Sequence, residues 1–260
     1  MKRLRIRGEM QTRPLVPVRG AAPYDALAAY YDAFTDDVPY RAWADWAERA
    51  FERAGIRPEI VLDLCCGTGT LTALLAERGY DMIGADASEA MLSRAWQKAP
   101  EVLWLHQRAE ALDLYGTVDA CVCSLDAVNY LTREAVLREA FRRAALFTVP
   151  GGIFLFDALT PAQQPIVADA SFIRDCGDAV CIQTETCRGE LIEHRVDLFE
   201  RARDGRYDRV TELHRERVWE PGFLCGILRE AGFARAEVFA PGSFDPLPEG
   251  APRAAYIAYR

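Results

Sequence analysis

The sequence predicts an α/β fold: a doubly wound, seven-stranded, mostly parallel sheet with an antiparallel β insertion after the fifth strand. Over residues 57–170, short apolar runs alternate with helical patterns, which is typical of a parallel sheet covered by helices on both faces. Over residues 171–218, long stretches of alternating polar and apolar residues replace that pattern. The α/β pattern returns over residues 219–260, so residues 57–170 and 219–260 are predicted to form one domain.

Two segments precede this domain. Residues 1–20 carry six basic residues and one acidic residue, and we expect them to form a mobile basic arm. Residues 21–56 are rich in aromatic side chains and predict a helical segment. Its clearest helix follows Tyr40, because apolar residues keep helical spacing until Gly55 and Pro58 end it.

In the main domain, each predicted strand is a short apolar run, and each predicted helix carries apolar residues on one side. The strands are predicted at 59–64, 80–85, 102–106, 118–124 and 153–156, with helices at 69–78, after the N-cap residue Ser88 and at 132–147. Pro150–Gly152 is predicted to separate the last of these helices from the fifth strand.

The insertion, residues 171–218, is expected to form an antiparallel β subdomain. Its alternation predicts three long antiparallel strands, at 181–187, 191–202 and 207–218, with tight turns between them at Arg188–Glu190 and Asp204–Gly205. A helix at 221–231 and strands at 234–240 and 254–259 then complete the seven-stranded sheet.

The charge of the chain argues against a nucleic-acid partner. Thirty-one basic and 39 acidic residues give a net charge of −8. Because residues 1–20 contribute +5 to this total, residues 21–260 carry −13. An acidic surface is poorly suited to gripping a phosphate backbone.

Cysteine spacing and hydropathy indicate the compartment. The eight cysteines fit neither a dense disulfide scaffold nor a common zinc motif, so we expect reduced thiols and no metal site. No apolar stretch approaches the roughly 20 residues that cross a membrane, and no signal-peptide core follows the basic arm. We therefore expect a cytoplasmic protein without a membrane partner, as a monomer or a homodimer.

The turn after the first predicted strand of the main domain holds the most informative motif, Asp-Leu-Cys-Cys-Gly-Thr-Gly over residues 63–69. Gly67 and Gly69 let the backbone come close to a ligand and point free N–H groups at it. Wound sheets bind their ligands at such strand ends. Asp86 ends the next strand, where its carboxylate can accept hydrogen bonds from both ribose hydroxyls of an adenosine.

Two cofactor classes compete for this loop. The dinucleotide of an oxidoreductase needs a third glycine, but residue 72 is threonine, and Asp63 would repel a pyrophosphate. A ligand with an ammonium group would instead be attracted to Asp63. The loop therefore favours S-adenosylmethionine, which has an amino-acid end and no phosphate.

These motifs resemble those of the class I S-adenosylmethionine-dependent methyltransferases of the small-molecule type. Further similarity lies in the ribose-binding segment 84–92, in a fourth strand followed by Asp126, Tyr130 and Leu131, and in Pro150–Gly152. The resemblance implies a Rossmann-like methyltransferase fold with S-adenosylmethionine as cofactor. Together with the loop, it implies these cofactor-binding residues: Tyr31, Trp43, Asp63, Cys65, Cys66, Gly67, Gly69, Asp86, Ala87, Met91, Arg108, Ala109, Ser124 and Leu125.

Two positions depart from the family pattern. Cys65 stands where the family usually has glycine. Arg108 stands where the family usually has an acid that holds the adenine, and an arginine side chain cannot accept a hydrogen bond. Backbone atoms around Ala109 and the carboxylate of Glu110 are the alternatives for this contact.

Methyl transfer by in-line displacement needs positioning more than a catalytic triad, because the cofactor supplies the electrophile. The resemblance implies that residues 21–56 form an N-terminal lid. Its aromatic residues Tyr31 and Trp43 are expected to contact the cofactor, because an aromatic face attracts the sulfonium through cation–π interaction.

On the substrate side, the residues that follow the fourth strand are expected to line the acceptor pocket, namely Asp126, Asn129 and Tyr130. The resemblance implies that the insertion, residues 171–218, is the substrate-side subdomain. Glu212 and His214 share one face of one of its strands. His214 is the candidate general base, because histidine titrates near neutral pH.

The sequence therefore predicts methyl transfer to a small-molecule acceptor. An RNA or protein methyltransferase is one alternative, for which the basic arm is the relevant feature. A non-catalytic S-adenosylmethionine-binding protein is another, because a fold alone does not prove turnover.

Overall fold

The computed structural model describes residues 4–5 and 20–260, so most of the predicted basic arm lies outside the described residues. The helices are α1 (Tyr31–Phe34), α2 (Tyr40–Ala54), α3 (Thr70–Glu77), α4 (Glu89–Lys98), α5 (Glu134–Phe147), α6 (Gln164–Val167) and α7 (Pro221–Ala231). The strands are β1 (Leu4–Arg5), β2 (Gly20–Ala21), β3 (Ile60–Leu64), β4 (Asp81–Asp86), β5 (Leu103–His106), β6 (Val118–Cys123), β7 (Thr148–Leu159), β8 (Ser171–Asp175), β9 (Ala179–Arg188), β10 (Leu191–Arg201), β11 (Tyr207–Arg217), β12 (Arg235–Phe239) and β13 (Arg253–Tyr259).

The predicted seven-stranded sheet is confirmed, with strand order β5-β4-β3-β6-β7-β13-β12. The five strands from β5 to β7 run parallel, whereas β13 pairs antiparallel with both β7 and β12. Apolar side chains of the strands and of the helices on both faces form the core, including Leu62, Phe154 and Tyr256. The winding changes direction between β3 and β6, which places a ligand crevice at the carboxyl ends of these strands.

The turn at Pro150–Gly152 lies inside the fifth strand rather than before it, so that detail of the prediction is wrong. β7 begins at Thr148, directly after α5, and its register against β6 shifts between Val118 and Ala120. Glycine at 152 permits this shifted register, because the Cβ of any other residue there would lie 2.4 Å from the carbonyl oxygen of Asp119.

A second, six-stranded sheet has the order β1-β8-β9-β10-β11-β2. The three long strands predicted in the insertion are confirmed as β9, β10 and β11, which pair antiparallel. The sequence did not predict β8 or the two-residue strands β1 and β2. One face of this sheet packs Val196 and Leu198 against Phe34 of the lid.

The lid is less regular than a continuous helix. A 3-10 turn at Leu27–Ala29 and the short α1 precede α2, which packs Trp46 and Phe51 into the core and ends at Gly55 with a φ of 73°. The part before α2 lies between the second sheet and the crevice. Each helix in the described part of the chain is too short or too polar to span a lipid bilayer.

Candidate active site

A cavity of about 560 Å³ lies where β3, β4 and β6 end, beneath the first part of the lid. It is lined by most of the residues that the sequence assigned to the cofactor and by one assigned to the substrate: Tyr31, Cys65, Cys66, Gly67, Asp86, Ala87, Met91, Arg108, Ala109, Ser124, Leu125 and Tyr130. Residues that are distant in the sequence therefore line one cavity.

The other predicted site residues lie outside the cavity lining: Trp43, Asp63, Gly69, Asp126, Asn129, Glu212 and His214. Trp43 packs edge-on against Trp46, with ring centroids 5.1 Å apart. Tyr40, one turn earlier on α2, lines the cavity in its place. An aromatic stripe in the sequence does not reveal which of its members faces the cavity.

Asp86 organises the glycine loop. Its two carboxylate oxygens accept hydrogen bonds from the backbone N–H groups of Gly67 and Ser88, each at 2.8 Å. Ser88 in turn caps α4 as predicted, since its Oγ accepts from the Met91 N–H at 3.2 Å. Burial raises the pKa of Asp86, although these N–H groups oppose the rise. A carboxylate has further lone pairs, so Asp86 can still accept hydroxyl groups from a ligand.

Gly69 and Gly84 make room for the indole of Trp104. A Cβ on Gly69 would lie 2.5 Å from that ring, and one on Gly84 would lie 2.2 Å from it. The indole N–H donates to the carbonyl oxygen of Ala99 at 2.9 Å, which fixes the ring beneath the loop. Gly69, which the sequence assigned to ligand approach, is therefore required for packing.

Asp63 is buried beneath the loop, with 1% of its surface exposed. Its Oδ2 accepts a hydrogen bond from the hydroxyl of Thr72 at 2.6 Å, so the residue that replaces the third glycine holds this carboxylate. Its Oδ1 has no hydrogen-bond partner among the described residues. Burial raises the pKa of Asp63 to about 7, against the effect of the Thr72 hydrogen bond.

Cys65 adopts the left-handed backbone conformation, with a φ of 62°. This explains why the family usually has glycine there, because a side chain is strained in that conformation. Arg108 is exposed and pairs with Glu110 at 2.6 Å, and both residues line the cavity.

An ionic contact that the sequence did not predict fastens the lid to the loop. Asp32 of α1 accepts a hydrogen bond from the Thr68 hydroxyl at 2.6 Å and pairs with the ammonium of Lys98 at 2.9 Å. Lys98 also donates to the Thr70 hydroxyl at 2.6 Å. The two threonines stand in the glycine motif, but nothing local in the sequence indicates their partners.

A second set of polar contacts connects the lid to the second sheet. The Tyr24 hydroxyl donates to that of Tyr130 at 2.6 Å, and the Tyr130 hydroxyl lies 3.2 Å from Nδ1 of His214. Nε2 of His214 lies 2.9 Å from the Glu212 carboxylate. His214 is buried behind Tyr130, so the predicted general base reaches the cavity only through that tyrosine.

Glu212 also holds the start of the lid. Its carboxylate accepts from the backbone N–H groups of Tyr24, Ala26 and Leu27 at 2.8, 2.7 and 3.1 Å. Burial alone would raise the pKa of Glu212, but His214 and these N–H groups together lower it. Glu212 is therefore ionised and does not face the acceptor pocket.

Asp126 and Asn129, predicted on the substrate side, have structural contacts instead. Asp126 has a φ of 54° and pairs with Arg253. Asn129 accepts from the Leu159 N–H at 2.8 Å and donates to the Arg217 carbonyl oxygen at 2.7 Å, which joins β7 to the end of β11. Of the three residues predicted after β6, only Tyr130 reaches the cavity.

Comparison with known proteins identifies the family of the chain. Residues 61–152 match the family model of a methyltransferase domain. A protein of Geobacillus sp. (strain WCH70), named no more specifically than a methyltransferase, is 30% identical over 90% of this chain and 98% of its own length.

Solved structures share the fold. An S-adenosylmethionine-dependent methyltransferase from Clostridium acetobutylicum ATCC 824 superimposes with a TM-score of 0.81 at 23% identity, over 91% of this chain and 98% of the other. A sugar N-methyltransferase from Streptoalloteichus sp ATCC 53650 superimposes with a TM-score of 0.75 at 20% identity, over 98% of both chains.

The wound sheet with the glycine loop at its edge is the fold of the class I S-adenosylmethionine-dependent methyltransferases. The chain belongs to the methyltransferase family that includes its Geobacillus relative.

Proposed function

We propose that this enzyme transfers a methyl group to a small-molecule acceptor by in-line displacement. The observation that carries the proposal is the cavity itself, which residues of the lid and of the glycine loop line together. Its volume of about 560 Å³ lies within the range of about 300–1,000 Å³ typical of small-molecule sites. The structural relative from Streptoalloteichus, which methylates a sugar nitrogen, is consistent with a small acceptor.

The residues around the loop fit S-adenosylmethionine. A Cβ on Gly67 would meet no protein atom within 4 Å, so a ligand can approach the backbone there. Asp86 can accept the ribose hydroxyls, and the unpaired Oδ1 of Asp63 provides negative charge for an ammonium group. Tyr31 presents an aromatic ring to the cavity, which suits a sulfonium. The bound cofactor supplies a methyl group on a positively charged sulfur.

We expect S-adenosylhomocysteine, which carries the same ammonium group, to bind more tightly as the pH rises toward 7. Burial raises the pKa of Asp63 to about 7, and the ammonium favours only the ionised carboxylate. Binding therefore releases a proton below that pH, and the association constant rises by up to about tenfold per pH unit before levelling off. Calorimetric titrations between about pH 5.5 and pH 8.5 measure this slope.

Asp63→Asn is the matched variant, because it keeps the shape of the side chain and loses its titration. Its affinity should not follow the same slope. If the wild-type affinity is flat across this range, Asp63 does not interact with the ammonium group.

The acceptor class is tested with labelled S-adenosylmethionine and separate pools of small metabolites, RNA and proteins. We expect methyl transfer to at least one class of small molecule. Transfer only to RNA or protein would overturn the proposal, and cofactor binding without transfer to any pool would favour a non-catalytic role. For the RNA alternative, arginine-to-glutamine changes in the basic arm are preferable to its deletion, because Leu4–Arg5 forms β1.

A further inference from the structure

We propose that Tyr24 accepts the proton that the acceptor loses during methyl transfer. Tyr24 passes its own hydroxyl proton to Tyr130, and Tyr130 passes its own to Nδ1 of His214, whose other ring nitrogen lies beside Glu212. This inference rests on the proposed function, because the acceptor occupies the same cavity. Tyr24 is then a catalytic residue, whereas Tyr130, His214 and Glu212 act through it.

The direction of the hydrogen bonds follows from the chemistry of the groups. The Glu212 carboxylate can only accept, so Nε2 of His214 carries the hydrogen that fills the 2.9 Å contact. In a neutral imidazole Nδ1 is then an acceptor, and the Tyr130 hydroxyl donates to it at 3.2 Å. Tyr24 donates to Tyr130, which leaves lone pairs on the Tyr24 oxygen to accept from a ligand in the cavity.

Every proton in this transfer is accounted for, and the positive charge that results lies beside a carboxylate. The acceptor's electron pair forms the new bond to carbon while the carbon–sulfur pair stays on sulfur, and the acceptor's proton passes to the Tyr24 oxygen. Tyr24 gives its own hydroxyl proton to Tyr130, and Tyr130 gives its proton to Nδ1 of His214. The products are two neutral tyrosines and an imidazolium beside the Glu212 carboxylate.

The surroundings favour this distribution of charge. Burial raises the pKa of Tyr24 and of Tyr130 well above the usual range, so neither remains as a phenolate. The negative charges of Glu216, Asp126 and Asp86 also raise the pKa of Tyr24.

The second histidine of this sheet is unavailable as a proton acceptor. His194 lies opposite His214 in the register of β10 and β11, and it pairs with Glu185 at 2.5 Å and with Glu216 at 3.3 Å. Although burial opposes its charge, these carboxylates raise the pKa of His194 to about 10. His194 is therefore already protonated near neutral pH, which leaves His214 to take the proton.

The lid positions the first residue of the proton path through Tyr24, Tyr130 and His214, which we call the relay. Tyr24 has a φ of 69°, a left-handed conformation that is strained for a non-glycine residue. The hydrogen bonds from Tyr24, Ala26 and Leu27 to Glu212 hold this conformation. The carboxylate that lies beside the imidazolium is thus also the one that holds the start of the lid, so the same group positions Tyr24.

Tyr24→Phe is the decisive variant. We expect kcat to fall by about 10²-fold, the usual contribution of a positioned acid or base, with little change in KM or in S-adenosylhomocysteine affinity. The difference in kcat between Tyr24→Phe and the wild type should shrink as the pH rises, because hydroxide then deprotonates the acceptor without the relay. Tyr30→Phe is the matched control, since Tyr30 lies in the same lid but packs on the second sheet outside the cavity.

A loss of kcat that is constant with pH would overturn the proposal, because it indicates a structural role, and so would an unchanged kcat. If the wild-type enzyme methylates no small molecule, the proposed function fails and the relay is judged by nitrogen NMR of His214. Tyr130→Phe should then move the Nδ1 resonance from the position of a hydrogen-bonded acceptor. An unmoved resonance would rule out the relay independently of activity.

Discussion

Asp86→Ala is expected to weaken S-adenosylhomocysteine binding by at least about 10²-fold. The carboxylate holds the Gly67 and Ser88 N–H groups at 2.8 Å, and we propose that it also receives the ribose hydroxyls. Hydrogen bonds to a charged group contribute about 1.5–3 kcal/mol each. Losing two of them removes about 3 kcal/mol or more, which corresponds to at least about 10²-fold in the dissociation constant.

The matched control is Asp81→Ala, at the exposed start of the same strand, which should bind S-adenosylhomocysteine as the wild type does. Asp86→Asn keeps one oxygen acceptor and should lie between the wild type and Asp86→Ala. Calorimetry measures the affinities, and denaturation curves show whether each variant is folded. An Asp86→Ala protein that is folded and binds like the wild type would contradict the assignment.

Gly84→Ala is expected to lower the free energy of unfolding by about 3 kcal/mol, at the upper end of the usual cost of overpacking a core. The new Cβ would lie 2.2 and 2.3 Å from two ring atoms of Trp104 and 3.2 Å from Sγ of Cys66. The ring cannot withdraw easily, because Ala99 holds its N–H and the Gly69 backbone lies against it. We expect the glycine loop to shift, so ligand affinity should fall as well.

Urea denaturation measures this loss of stability. Gly116→Ala is the control, because a Cβ there would meet no atom within 4 Å. Trp104→Leu in the Gly84→Ala background should recover part of the loss, since the two positions are in contact and their effects are not additive. Equal stability of Gly84→Ala and the wild type would show that the ring adapts at no cost.

Local pattern explains how far the sequence could predict this structure. The parallel sheet could be predicted from its short apolar runs, and the three long insertion strands from their alternating polar and apolar residues. Both patterns can be recognised within about ten residues. The glycine loop could be identified for the same reason, since residues 63–69 and Asp86 form a short motif with known chemistry.

Long-range pairing accounts for most of what the sequence did not predict. The contact between Asp32 and Lys98 depends on how the lid folds over α4. Whether Tyr40 or Trp43 lines the cavity depends on where α1 ends and α2 begins, which is set by packing. Buried polar residues such as Asn129 and His214 resemble functional residues in sequence, and only their partners show that one joins two strands and the other lies behind Tyr130.

The two shortest strands affect whether the edges of the second sheet can pair with strands of other molecules. β1 and β2 occupy opposite edges of the six-stranded sheet, and each is two residues long. An unpaired strand edge can recruit a strand from another molecule and begin aggregation, and very short edge strands limit such recruitment. β1 and β2 therefore occupy the hydrogen-bonding edge at Phe172 and Ile173 of β8 and at Thr211 and Glu212 of β11, where a strand of another molecule could otherwise pair.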